Sequence, residues 1–478
     1  MRRAVDIAVI VCLILSTSAC VKSRRTPNLK KIFAPARQYV GKTPIIVVPG
    51  VLGSQLVNPS TGRLVWPSSS RFKDDDVDLP IAPDLAANRD GLVASRIVDT
   101  TDLSLLLPEV RVYRDMLTTL EETAGYRPGA IDAPPPDGAT DTFYVFPYDW
   151  RRDNVENARL LGRKIEALKT ALGRPDLKFN IIAHSMGGLV ARYYAMYGDR
   201  DIPSTEPDWS GGRNISRLLL VGTPNRGAMD ALRSLVEGYN FYGGNVSRRT
   251  FFNKLDSELV FSLPSIYQLL PFSRAEVYVT ADLRLLPLDL YDVETWRHYE
   301  WSIFSKKHRE RVVDRFGPDA PLRLQAEEAF LAAALARATA FHEAIVRESA
   351  TPRPFGLFAF GGDCEPTLRA PLIVGKDGGW KTYFRTERLH VGRSKLDREA
   401  LFDLMFVPGD GRVTRASLLA ERDNASNGSI FPSDIDVDYA VFQCELHGDL
   451  PNDGELQNNI LSILVTDTTE ERGRGEDE

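Results

Sequence analysis

Residues 179 to 194 read Phe179-Asn-Ile-Ile-Ala183-His184-Ser185-Met186-Gly187-Gly188-Leu189-Val-Ala-Arg-Tyr-Tyr194. The first five residues are apolar except Asn180, a pattern that suits a strand buried on both faces. The stretch from Leu189 onward reads as a helix. Between them Ser185 stands among small residues, in the form Ala183-x-Ser185-x-Gly187. A strand, a tight turn and a helix with serine at the apex form a nucleophile elbow, which exposes Oγ at the mouth of a sheet. Small neighbours are needed because the turn is strained and crowded. By composition alone, such a five-residue pattern turns up in roughly one chain in three of this length, so the strand–helix context decides the reading.

Working outward, Pro44-Ile-Ile-Val-Val-Pro49, Phe143-Tyr-Val-Phe146, Leu218-Leu-Leu-Val221 and Phe355-Gly-Leu-Phe-Ala-Phe360 have the same buried-strand style. Helical patterns lie between them, over 153–172 with Asp153 as N-cap and over about 322–347. The expected class is α/β, a mostly parallel, doubly wound sheet. Two stretches fit that rhythm poorly. Residues 66–101, polar and containing Lys73-Asp-Asp-Asp76, read as a lid loop; residues 228–321, rich in aromatics, read as a cap insertion. Leu79, Ile81 and Leu85 are spaced so that they could cover an apolar groove, with Phe241, Tyr242, Phe251, Phe252 and Phe261 as a facing wall; filling a cap core is the alternative. One domain over 41–467 is expected, followed by a disordered tail over 468–478.

The chain has 478 residues, 43% hydrophobic and 26% charged, which is enough for a full-sized core. A net charge of −6 gives no electrostatic reason to expect nucleic acid. No metal-binding constellation stands out, since His342-Glu343 lacks the second histidine of a zinc motif. No phosphate-binding glycine loop appears either, so no cofactor is expected.

Serine needs a base, and the base needs an acid to hold its tautomer. In an elbow fold the chain order is serine, then Asp or Glu, then His. Of the six histidines, His447 follows the strand-like Tyr439-Ala-Val-Phe442 and precedes a last helix, and it is the expected base. His184 is expected to pack, pointing away from Oγ. His298 and His308 lie in a charged insertion, His342 on a helix as a solvated or satisfied residue, and His390 has no strand-end context. Asp410, in the turn Val407-Pro-Gly-Asp-Gly-Arg-Val413, is the expected acid, with Asp363 of Gly361-Gly-Asp363 as its rival. Oxyanion donors are expected from the backbone N–H groups of Met186 and of Val51, in Pro49-Gly-Val51-Leu-Gly-Ser54.

Met1-Arg2-Arg3, an apolar run to Leu15 and small residues before Cys20 follow the plan of a secretory signal peptide over 1–19. The apolar run is shorter than the roughly 20 residues of a spanning helix. The residues before Cys20 also resemble a bacterial lipoprotein site, which would lipidate Cys20 and leave 20–40 as a tether. Cys364 and Cys444 are then the remaining pair, in a disulfide-permissive compartment; buried free thiols are the alternative.

Taken in order, Pro49-Gly-Val-Leu-Gly-Ser54, Gly125-Tyr126, Phe146-Pro-Tyr-Asp-Trp-Arg151, Ala183-His-Ser-Met-Gly-Gly188, Gly222-Thr-Pro-Asn-Arg-Gly227, Gly409-Asp-Gly-Arg-Val413 and His447 resemble the lecithin:cholesterol acyltransferase family. That family includes phospholipid:diacylglycerol acyltransferases and lysosomal phospholipase A2. The resemblance implies an α/β-hydrolase fold, a Ser185–Asp410–His447 triad and Val51 and Met186 as oxyanion donors. It also implies an Asp149–Arg151 structural pair, with Tyr148 and Trp150 on the substrate side. The implied activity moves a fatty acyl group from a glycerolipid to an alcohol or water at a membrane surface. Two other readings stay open: an esterase or peptidase of the same fold acting on soluble substrates, and a non-catalytic surface lipoprotein.

Overall fold

Seven short strands, most of them apolar at their centres, assemble into one parallel sheet. They are β1 (Ile45–Val48), β2 (Arg127–Gly129), β3 (Thr142–Val145), β4 (Phe179–His184), β5 (Ile215–Val221), β6 (Gly356–Gly362) and β7 (Tyr439–Gln443), in spatial order β7-β6-β5-β4-β1-β3-β2. All six pairings are parallel, with Ile45 opposite Asn180 and Val221 opposite His184. The computed structural model describes residues 26–67, 77–101, 110–240, 254–272, 277–279, 284–376, 378–386, 398–421 and 434–473.

Side-chain alternation sends successive residues to opposite faces. Ile46, Val48, Ile181, Ala183, Leu218 and Leu220 join one core, and Ile45, Val47, Ile182, Leu219 and Val221 another. The first face is covered by α1 (Asn154–Ala171) and α2 (Met186–Tyr197), followed by α3 (Met229–Glu237) and α4 (Ala320–Ile345). The second is covered by the helix Arg114–Thr118 and by α5 (Gly454–Gly473). A sheet buried on both sides explains why its central strands read as continuous apolar runs. Asp153 caps α1 as expected, its carboxylate accepting from Val155 N at 2.8 Å.

Four expectations need correction. The region expected as a lid contributes one strand, Val93–Ile97, to a small antiparallel sheet whose other strands, Ser54–Asn58 and Arg63–Trp66, lie just before it. Leu79 is buried in the main core, its N–H donating to Ser262 Oγ at 3.0 Å, while Ile81 and Leu85 pack against that core. Lys73–Asp76 lies outside the described residues. In the cap stretch, Phe261 meets Phe330 at 5.3 Å and belongs to the same core as the sheet, whereas Phe241, Tyr242, Phe251 and Phe252 lie outside the described residues. The stretch expected as tether contributes buried Phe33 and Ala36, and α5 continues past residue 468 to Gly473. The signal peptide and Cys20 also lie outside the described residues. No helix among the described residues is long and apolar enough to cross a membrane.

Candidate active site

A parallel sheet exposes its carboxyl ends at one edge, and the direction of winding changes between β1 and β4, where such folds place their ligands. Ser185 directly follows β4, and the Gly50–Ser54 loop follows β1. Ser185 has φ 54° and ψ −127°, left-handed values that a non-glycine residue adopts only where its surroundings enforce them. Here Ser185 N–H donates to Val221 O at 2.8 Å, which pins the turn to β5. Crowding explains the glycines. A Cβ on Gly187 would lie 2.4 Å from Pro49 O, and one on Gly50 would lie 2.8 Å from Ser185 Cβ.

The three side chains singled out by order and context lie in one hydrogen-bonded line. Ser185 Oγ is 2.9 Å from His447 Nε2, and His447 Nδ1 is 2.8 Å from Asp410 Oδ2. All three are buried. The other oxygen of Asp410 accepts from Arg412 N at 3.0 Å and Val413 N at 2.7 Å. Asp410 therefore caps its own turn and faces the histidine at once. His447 N–H also donates to Asp410 O at 2.9 Å, so the two loops are joined by backbone as well. Asp363, although it follows β6 directly, turns to Arg415 at 3.7 Å instead. The disulfide Cys364–Cys444, with Cα atoms 5.2 Å apart, closes the end of β6 onto the strand leading to His447. Glu365 sits beside it, but both sulfurs are spent in the bridge.

Met186 is the first residue of α2, so its N–H has no acceptor within the helix. Val51 lies in the turn closed by Gly53 N–H donating to Gly50 O at 3.1 Å. Val51 thus sits in the loop after β1, and Met186 adjoins Ser185 in the chain.

Tyr148 and Trp150 are fully buried, which corrects their expected substrate-facing position. Tyr148 Oη donates to Pro49 O at 2.8 Å, its N–H to Ser54 Oγ at 3.1 Å, and Trp150 Nε1 donates to Ser54 O at 3.1 Å. Two islands far apart in sequence thus form one support beneath the loop that carries Val51. Arg151 pairs with Asp149 as expected, through Nε at 2.9 Å and Nη2 at 2.8 Å. It also takes Asp90, with Nη1 at 2.5 Å and Nη2 at 2.9 Å, which no feature of the sequence signalled. Burial works against this cation, but the two carboxylates hold it above its ordinary range.

His184 does point away from Oγ, yet it is not mere packing. Its Nε2 lies 3.1 Å from His447 O and its Nδ1 2.8 Å from Tyr113 Oη, which itself accepts from Gly50 N–H at 2.8 Å. Burial, then the neighbouring His447, bring His184 down to about 3, so it is neutral at ordinary pH. Tyr113 lies in no recognisable motif, and nothing in the sequence marked it. His342 is buried rather than solvated, its ring stacked on Phe272 at 5.0 Å. His308 is likewise buried and lies 2.8 Å from Glu327, while His390 lies outside the described residues. Beside the site, Asp230 pairs with both Arg412 and Arg233. Burial pushes its carboxyl up, but the two guanidinium groups outweigh that and leave it below the usual carboxylate value.

Residues 66–282 match the family model described as lecithin:cholesterol acyltransferase. A phospholipase A(1) of Arabidopsis thaliana, LCAT3, is 29% identical over 224 residues, 45% of this chain and 42% of the relative. The match thus spans less than half the length of that relative. Among solved structures, a chain of the Tle4-Tli4 complex aligns at a TM-score of 0.52 with 14% identity, covering 89% of this chain and 98% of that one. That likeness concerns the fold alone.

Proposed function

We propose that this chain, similar to the lecithin:cholesterol acyltransferase family across residues 66–282, is a serine-dependent lipid acyl ester enzyme. It takes a fatty acyl group from a glycerolipid and passes it to an alcohol or to water. The observation that carries the reading is the line Ser185 Oγ–His447 Nε2–His447 Nδ1–Asp410 Oδ2, with links of 2.9 and 2.8 Å, at the carboxyl end of a parallel sheet. That is the arrangement an acyl transfer needs.

In this mechanism Ser185 Oγ attacks the ester carbonyl carbon while His447 Nε2 takes the hydroxyl proton. Asp410 Oδ2 accepts from Nδ1–H, which keeps Nε2 free to act as base and stabilises the imidazolium that forms. The carbonyl oxygen becomes an oxyanion, held by the N–H groups of Val51 and Met186. The imidazolium returns its proton to the leaving alkoxide, and the lyso-lipid departs from an acyl-Ser185 intermediate. An alcohol or water, deprotonated by His447, then attacks that ester; the acyl–Oγ bond breaks, the acyl group leaves, and His447 returns the proton to Ser185 Oγ. The lipid donor is supported by the family likeness and by the phospholipase named above. Export through residues 1–19, with lipidation at Cys20 and residence at a membrane surface, belongs to the same reading.

The test pairs a fluorophosphonate probe with substrate profiling. The wild-type chain should label and Ser185→Ala should not. Phosphatidylcholine vesicles should lose acyl chains at a rate that added alcohols divert into new esters. Labelling with turnover of short soluble esters only would favour an esterase on soluble substrates, and no labelling would leave a binding lipoprotein.

A further inference from the structure

We infer that Tyr113 and His184 are positioning residues that lock the loop carrying the oxyanion donor to the loop carrying the base. This rests on the reading of Ser185 and His447 as nucleophile and base. Four groups are joined in series: Gly50 N–H, the Tyr113 hydroxyl, the His184 ring and the His447 carbonyl, at 2.8, 2.8 and 3.1 Å. The direction of every bond is determined by chemistry. The His447 carbonyl only accepts, so His184 Nε2 carries the proton and Nδ1 is left as an acceptor. The Gly50 amide only donates, so the Tyr113 oxygen accepts from it and gives its own hydrogen to Nδ1. One neutral tautomer of His184 satisfies the whole series.

The series connects the two sides of the reaction centre without touching Ser185 Oγ. Gly50 immediately precedes Val51, and a Cβ on Gly50 would meet both Ser185 and His184. At the other end, the His447 ring is held by Ser185 and Asp410, and its own carbonyl by His184. Tyr113 and His184 lie edge to face with ring centroids 5.5 Å apart, and the two histidine rings are 5.0 Å apart. Both positioning residues are buried, so water does not compete for these bonds. Tyr113 is itself anchored, its N–H and that of Val112 both directed at Asp99 O. Misplacement of donors or base by a fraction of an ångström weakens the transition state more than substrate binding, so the relay acts on turnover.

The experiment uses the full chain, hydrolysis of p-nitrophenyl butyrate and the rate of fluorophosphonate labelling, each variant being assayed well below its melting temperature. Tyr113→Phe removes one oxygen and no packing volume; it should lower kcat by about 10- to 100-fold with KM changed less than about twofold. His184→Phe should do the same. The double variant should lose less than about threefold beyond the worse single, because the series works as a unit. His184→Gln keeps a donor near the Nε2 position and should recover at least about fivefold in kcat over His184→Phe. Tyr113→Phe turning over within twofold of wild type, a loss carried by KM, or losses that multiply in the double variant would each overturn the inference. A wild-type chain that does not label, or a Ser185→Ala chain that does, would instead remove the nucleophile reading and the relay with it.

Discussion

Asp410 and Asp363 show how much two aspartates of similar sequence context differ once folded. Both follow small residues in late turns, but only Asp410 has one oxygen on His447 and the other on two backbone N–H groups. Asp363 is a half-exposed partner of Arg415. Asp410→Asn should therefore cut turnover of a soluble ester by about 10³- to 10⁴-fold, because an amide facing Nδ1 favours the wrong tautomer. Asp363→Asn should retain more than about half of it, a surface ion pair contributing little. Steady-state kinetics on the two variants check this, and equal losses would sink the assignment. The role of His184 was legible only as far as its direction. Its partners, Tyr113 and the His447 carbonyl, come from segments far away in sequence, so no local pattern announced them.

At the scale of elements, the Pro147–Asp153 segment is a clamp rather than a wall of the substrate site. Arg151 places all of its guanidinium nitrogens against Asp149, Asp90 and Val77 O, and joins the segment after β3 to the excursion after β1. The side chain is fully buried, and its carboxylates are 14% and 24% exposed. Arg151→Met would strand those carboxylates near each other and should lower stability by about 3 to 5 kcal/mol. Arg151→Lys should recover little, since one ammonium cannot serve a two-sided fork. Urea unfolding midpoints measure both, and a loss under about 1 kcal/mol for the methionine variant would show the clamp to be dispensable. The disulfide acts toward the other edge of the sheet, tying the ends of β6 and β7. With its cysteines 80 positions apart in the chain, the chain-entropy model assigns it about 4 kcal/mol.

For the whole molecule, buried neutral histidines set an acid limit. Burial brings His184 and His342 from 6.5 down to about 3, with His447 adding to the first shift and Arg226 and Arg192 to the second. Below 6.5 the unfolded chain binds protons that the folded chain refuses. Their contribution is therefore fully present above pH 6.5 and is lost as pH falls toward about 3. Each histidine should tilt stability by about 1.4 kcal/mol per pH unit within that window. His342 touches no member of the reaction centre, so His342→Leu isolates its share. Urea midpoints at pH 7 and pH 5 should differ less in that variant than in wild type; the same difference in both would refute the linkage.

The sequence by itself pointed to the parallel sheet, the elbow at Ser185 and His447 as the expected base, and left Asp410 with Asp363 as its rival. It could do so because those features are local: a strand buried on both faces must be apolar throughout, and a strained turn must be flanked by small residues. Chain order then reduced six histidines to one. What only the tertiary structure decided depends on residues that meet across the fold. Nothing local separates a lid from a loop whose apolar side chains turn inward to the core, as Leu79 does. Nothing local shows that Tyr148 and Trp150 spend their polar atoms on the Pro49–Ser54 loop, or that Asp90 completes Arg151. Hydrogen bonds between distant segments leave no periodicity in a sequence, because the geometry that makes them exists only after the sheet has brought its carboxyl ends together.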